Sequence, residues 1–282
     1  MRSRNFRKAL SGAAAHGLTV LGLAAALLLG AEPAHAQGQF EGQYTLSMAG
    51  ISIGKLEWRA RIGSTDYTLA ASGRTSGILS VLVNGEGNVS LKGTMRDNRS
   101  QSAIWSSKLT SRDELSIVNM TFEGGKVRDL TVVEPPPEPD RVPLTEAHKN
   151  SVIDPLSAFL IPASAGDPLQ PSACQRDLNI FDGRRRYDVS LTFRRLDKAT
   201  PEKGYNGPAL VCTARLSPIA GHRTSSPLLK FMLEGREIEV WFVPIAGTPL
   251  LAPVRLSVTS AVGTLLLRAD QFETQPVVAS GK

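Results

Sequence analysis

Apolar side chains recur at every second residue along much of this chain, and that period restricts its fold more than any other feature. Phe40, Tyr44, Leu46 and Met48 fall on one face at a spacing of two. Leu56, Trp58, Ala60 and Ile62 do the same, with Glu57, Arg59 and Arg61 opposite. A period of two belongs to a strand with one face on a core and the other in water. Between these runs, Ala49 to Gly54 can turn or bulge. Tyr67, Leu69 and Ala71 start another strand, and Ser102–Ser107 around Trp105 reads as one more. Leu115–Phe122 and Lys126–Val133 read as two strands joined at Glu123-Gly124-Gly125, a hairpin signal. Ile78–Val83 is open between a strand and a short helix, and Asn84-Gly85 ends it.

The texture then changes. Glu134-Pro135-Pro136-Pro137-Glu138-Pro139 lacks ladder donors and is expected to be extended. It sits in a Pro-rich loop near 134–143 that either divides the chain or loops out of one domain. Asp154-Pro155 offers an N-cap followed by proline at the first helical position. Leu156, Phe159 and Leu160 follow at helical spacing, predicting a short buried helix that ends near Pro162.

Strands return after a turn at Phe181-Asp182-Gly183. Tyr187, Val189, Leu191 and Phe193 alternate, and Ala209–Leu216, Glu237–Val243, Val254–Ser260 and Gly263–Phe272 complete the set. The sum is roughly ten to twelve strands and one or two short helices, an all-β chain whose connections are too short for βαβ crossovers.

The first 36 residues read as a cleavable secretory signal peptide. Arg2, Arg4, Arg7 and Lys8 precede an Ala- and Leu-rich run from Leu18 to Leu29, and Ala34-His35-Ala36 is an A-x-A cleavage signature. The expected mature part is residues 37–282, a single β-rich domain in the periplasm, with no membrane span once the leader is gone. Of the chain's formal charge of +6, the leader accounts for +3, so the mature part is only mildly basic. That charge and that compartment argue against a nucleic-acid partner.

Cys174 and Cys212 are the two cysteines. An even count in an oxidising compartment favours a disulfide, with two buried free thiols as the alternative.

The candidates for chemistry are few. Gly50-Ile51-Ser52-Ile53-Gly54 fits G-x-S-x-G, whose nucleophile elbow needs a helix after the serine. Here the following segment alternates like a strand, so a glycine-flanked turn is the simpler reading. His148 and His222 are the histidines outside the leader, and neither has a partner at zinc-site spacing. Either could serve Ser52 in an envelope hydrolase. Asp182 precedes Arg184-Arg185-Arg186. Arg184 and Arg186 are candidate contacts for a phosphate or carboxylate, the plain alternative being a solvated strand start. No cofactor or phosphate-loop motif is present.

Cys174, Ile180–Asp188, Tyr205–Cys212 and Pro253–Leu256, with Asp154–Ala158, resemble the domain-of-unknown-function family 3108 across essentially the whole mature chain. The resemblance implies a bacterial envelope protein built on a strongly curved antiparallel sheet, a β-spiral or half-barrel like the lipoprotein carriers LolA and LolB. The functional expectation is a non-enzymatic periplasmic binding or scaffold protein that supports envelope integrity. Its expected partner is a lipid, a lipoprotein or an envelope protein held on the concave face. An envelope hydrolase using Ser52 and a structural subunit of an envelope assembly are the alternatives.

Overall fold

The computed structural model describes residues 37–77, 85–97, 99–112, 114–133, 140–163, 166–234, 237–260 and 263–277. Residues 1–36, Ile78–Val83 and the proline run 134–139 lie outside them. The first half is an antiparallel meander of β1 (Gly38–Met48), β2 (Ile51–Ile62), β3 (Asp66–Thr75), β4 (Gly85–Arg96), β5 (Arg99–Ser111), β6 (Glu114–Glu123) and β7 (Lys126–Val133). The second half holds β8 (Ile161–Pro162), β9 (Arg176–Phe181), β10 (Arg186–Ala199), β11 (Lys203–Gly204), β12 (Gly207–Ala220), β13 (Glu237–Pro244), β14 (Leu250–Ser260) and β15 (Gly263–Pro276). Two helices interrupt it, α1 (Pro155–Ala158) and α2 (Pro227–Glu234).

All these strands join one sheet in the order β7-β6-β5-β4-β3-β2-β1-β15-β14-β13-β12-β10-β9, with β8 on β14 and β11 on β15. The two meanders meet where β1 pairs with β15. The sheet is all-β, strongly curved and not closed, as the family resemblance implies. Its two free ends, β7 and β9, are linked across the gap by the chain before α1. Val152 N donates to Gly125 O at 2.8 Å, Ile153 pairs with Ile180, and Arg184 Nη1 donates to Ser116 Oγ at 3.0 Å.

The local signals explain much of this. Ala49 and Gly50 turn β1 into β2, and Gly124 and Gly125 turn β6 into β7, all at positive φ. The apolar face of β1 to β3 supplies Phe40, Tyr44, Trp58, Ile62 and Tyr67 to the main core. Phe40 stacks on Phe272 at 5.3 Å and meets Trp58 edge-on at 5.1 Å, geometries that favour the ring quadrupoles. A second cluster lies on the other face of β12 and β13, so these strands are buried on both faces. That is why Ala209–Cys212 and Val240–Val243 are unbroken apolar runs.

The structure corrects several expectations. The helix after Asp154 is a single turn ending at Phe159, and Ile161–Pro162 forms β8 instead of a helix end. The strand count is larger than ten to twelve because β4, β9 and the two-residue strands carry little apolar alternation. Gly85 starts β4 instead of only closing a turn. Phe181 belongs to β9, so Asp182–Arg185 makes the turn and only Arg186 of the basic run lies in a strand.

Asp154 caps α1 from full burial. Its Oδ1 accepts from Leu156 N and Ser157 N at 2.9 Å each, and its other oxygen accepts from Ser102 Oγ. Burial pushes its carboxyl above the usual carboxylate range, against the pull of these hydrogen bonds. Cys174 and Cys212 form a disulfide across 38 positions, both side chains fully buried. Two predictions follow from burial and loop length. Asp154→Ala, which strands three buried donors, should cost about 3 kcal/mol in urea unfolding, and Asp154→Asn, which keeps an acceptor, should cost less. Replacing both cysteines by serine should cost about 4 kcal/mol in the same assay, the loop-entropy value for a loop of this length.

Candidate functional site

A cavity of about 500 Å³ lies between α1, α2 and one face of β9, β10 and β12 to β15. Its wall follows from register. Leu178 pairs with Val189, which pairs with Leu216. One row further along, Leu191, Ala214, Ile238, Val258 and Leu265 stand opposite one another across five strands. Every second residue of each strand therefore presents an aliphatic side chain to one space. Ala158 and Phe159 close it from α1, and Leu229 from α2. Leu178, Val189, Leu216, Leu256 and Leu265 are only half-buried, so the wall is open to an occupant.

The polar lining is gathered at one end. There the β9–β10 turn, the loop after β12 and the segment at 140–142 come together. Gly221 N donates to Val142 O at 2.8 Å and Val142 N donates to His222 O at 3.0 Å. Gly221 adopts φ 77°, and a side chain there would run into Arg184 O at 1.9 Å, so only glycine lets the two loops touch. This end presents Arg141, Arg185, Arg186, Arg223, His222 and Asp182 to the cavity.

Each part of the end is locally built. Asp182 Oδ1 accepts from Arg184 N at 2.8 Å and Arg185 N at 2.6 Å, fixing the turn as an aspartate-capped loop. Its Oδ2 lies 3.7 Å from Arg185 Nη1, a loose pair on a half-exposed arginine. Arg186 is buried and committed, donating to Tyr187 O at 2.8 Å and pairing with Asp188. Arg223 Nε lies 3.4 Å from Asp140. The Ser225 hydroxyl and backbone N–H hold the Asp140 carboxyl down to about 2, with help from Arg223. His222 Nδ1 is buried and has no hydrogen-bond partner among the described residues. Burial pushes the Tyr187 phenol up, so it lines the cavity as a neutral group.

The sequence candidates are thus dispersed. Arg186 lines the cavity, while Arg184 turns toward Ser116 on β6 and lines a separate depression. Arg185, which the sequence reading passed over, reaches the cavity instead. Ser52 lies in β2 after the β1–β2 turn, 3.5 Å from Ser76 Oγ, and a strand follows it where an elbow needs a helix. No hydrogen bond among the described residues joins Ser52 to His148 or His222. His148 Nδ1 instead accepts from Thr145 N at 3.1 Å, closing a 3₁₀ turn. Helix α2, which roofs the cavity, was also missed. Its signal was present in Ser226-Pro227, since Ser226 Oγ accepts from Leu229 N at 3.2 Å as an N-cap does. Among the described residues, no helix is long and apolar enough to cross a membrane, and no three His, Cys, Asp or Glu side chains gather as metal ligands.

The family described as a protein of unknown function (DUF3108) matches residues 43–270, and the chain belongs to it. No curated protein matches the chain. Among solved structures, a β-barrel-like protein of a domain of unknown function (DUF1849) from Brucella abortus is similar, with 7% identity and a TM-score of 0.42 over 86% of this chain and 98% of that one. A second, titled a putative lipoprotein from Parabacteroides distasonis ATCC 8503, has 8% identity and a TM-score of 0.27 over 85% and 96%.

The Asp140 tether has a defined pH window. Its folded value lies below the ordinary 3.8, so its stabilisation is complete above about pH 4 and is lost as the pH falls through about 2. The stability gap between wild type and Asp140→Asn should stay constant from pH 7 to about pH 4 and shrink below it, as read by thermal unfolding.

Proposed function

We propose that this protein is a non-enzymatic binding protein of the bacterial periplasm that shelters the apolar part of a lipid or lipoprotein in the cavity between α1, α2 and the curved sheet. One observation carries the reading, namely the aliphatic cavity of about 500 Å³. That volume lies inside the range of roughly 300–1,000 Å³ typical of ligand sites. Its aliphatic side chains gain by covering apolar surface at about 25 cal/mol per Å². The disulfide supports the compartment, since such bonds persist outside the reducing cytoplasm. Ser52 stands in a strand with no histidine partner among the described residues, and this favours binding over hydrolysis.

The cavity is tested with a neutral apolar dye. N-phenyl-1-naphthylamine should brighten on delipidated wild-type protein and saturate at one site. Leu216→Trp, which fills the middle of the wall, should abolish the signal while leaving thermal unfolding close to wild type. Equal brightening in both proteins would sink the reading.

A further inference from the structure

We infer that the ligand is a single-chain amphiphile with a hydroxyl-bearing head, and that Tyr187 and His222 receive that head at the loop end of the cavity. The inference rests on the cavity being a binding site and adds the chemistry of what fills it.

Three observations carry it. The first is placement. Ile180, Tyr187 and Pro218 stand opposite one another across β9, β10 and β12, on the row next to Leu178, Val189 and Leu216. His222 lies just past the end of β12 and lines the same cavity. The aliphatic rows therefore end, on the loop side, in a phenol and an imidazole. The second is hydrogen bonding. His222 Nδ1 is buried without a hydrogen-bond partner, and the half-buried Tyr187 phenol has none among the described residues. Burial pushes that phenol up, so it stays a neutral group that both donates and accepts. Polar atoms sheltered in this way are costly until a partner arrives. An imidazole nitrogen accepts in one tautomer and donates in the other. A hydroxyl does both, so it meets either tautomer and the phenol as well, whereas an ether oxygen or a carboxylate only accepts. The third is size. At roughly 30 Å³ for each non-hydrogen centre, the share of a water molecule in the liquid, about 500 Å³ holds on the order of 15 centres, one chain and not two.

The test is a cycle that changes the head and its receivers together. Delipidated protein is loaded with N-phenyl-1-naphthylamine, which is then displaced by 1-decanol, 1-chlorodecane or decanoate. The chloride matches the alcohol in chain and lacks its hydrogen-bonding group, so the ratio of their affinities isolates the head. In Tyr187→Phe/His222→Phe this ratio should fall about tenfold or more from its wild-type value, as expected for two lost hydrogen bonds. Chloride binding should stay unchanged and report an intact cavity. Tyr187→Phe alone should lower the ratio about threefold, and it decides the matter if the double variant also loses the chloride. A ratio equal in wild type and variants, with the chloride displaced only by Leu216→Trp, would overturn the head and leave the cavity reading standing. Decanoate binding more tightly than the alcohol in wild type would overturn the hydroxyl in favour of an acid head. Failure of all three compounds to displace the dye from wild type would overturn both readings.

Discussion

The pairing of the first strand with the last is the contact on which the rest depends. β1 and β15 match along their whole facing length, from Gly38 opposite Pro276 to Met48 opposite Leu265. Tyr44 reinforces the seam from inside, its buried phenol donating to Pro253 O at 2.9 Å across 209 positions. Without this seam the chain would be two meanders, each with an additional open edge able to pair with other chains. Closing so long a loop costs entropy that the seam's native contacts must offset. It also carries the hydrophobic face of one meander into the other. Leu46 stands opposite Leu267, and Leu267 opposite Leu256, so one inner surface runs from the N-terminal strands to the cavity wall.

Register irregularities then decide what that surface faces. β1 and β15 slip at Gln43/Tyr44, β10 and β12 at Phe193/Arg195, and β13 and β14 at Trp241/Phe242. A bulge adds a residue to one strand and exchanges the faces beyond it. Above the β14 irregularity Ala252 faces the main core, and below it Leu256 and Val258 join the second cluster. The same residue parity thus serves two compartments, a filled core at one end and a cavity at the other. Trp241 marks the divide, set between Arg195 at 5.4 Å and Arg255 at 4.9 Å, cations that suit an aromatic face at the rim of a core.

Legibility followed the same physics. β1, β2 and β10 announced themselves because large apolar side chains such as Phe40, Tyr44, Trp58, Ile62 and Leu191 recur on one face, even with Gly42 and Ala60 among them. β4 was silent because its inward positions include Gly87 and Gly93. A side chain at Gly93 would strike the Tyr67 ring at 2.3 Å, and one at Gly87 would strike Leu109 at 2.3 Å. The neighbours fill the space, so the strand's own sequence lacks the signal that periodicity reads. Asp154-Pro155 was readable as a helix start since cap and proline are local chemistry. Ser226-Pro227 carried the same signature ahead of α2 and went unread, with no alternation nearby to frame it. Of the site, the basic run was visible but its directions were not. Strand parity pairs Arg184 with Arg186, whereas the Asp182 turn sends Arg184 to β6 and leaves Arg185 at the cavity.

The disulfide braces the second buried cluster, which stands beside the cavity wall. Cys212 occupies the same face of β12 as Ala214, one row farther from the loop end of the cavity. Its bond to Cys174 holds the turn Pro171–Cys174 against that row, where Ala173, Ile161 and Leu169 pack with Leu191 and Leu210. A covalent link thereby fixes this part of the cluster, while the loop end of the cavity is joined by hydrogen bonds and ion pairs among three loops. Because Asp140 titrates only at about 2, the loop contacts it makes persist at neutral and mildly acidic pH.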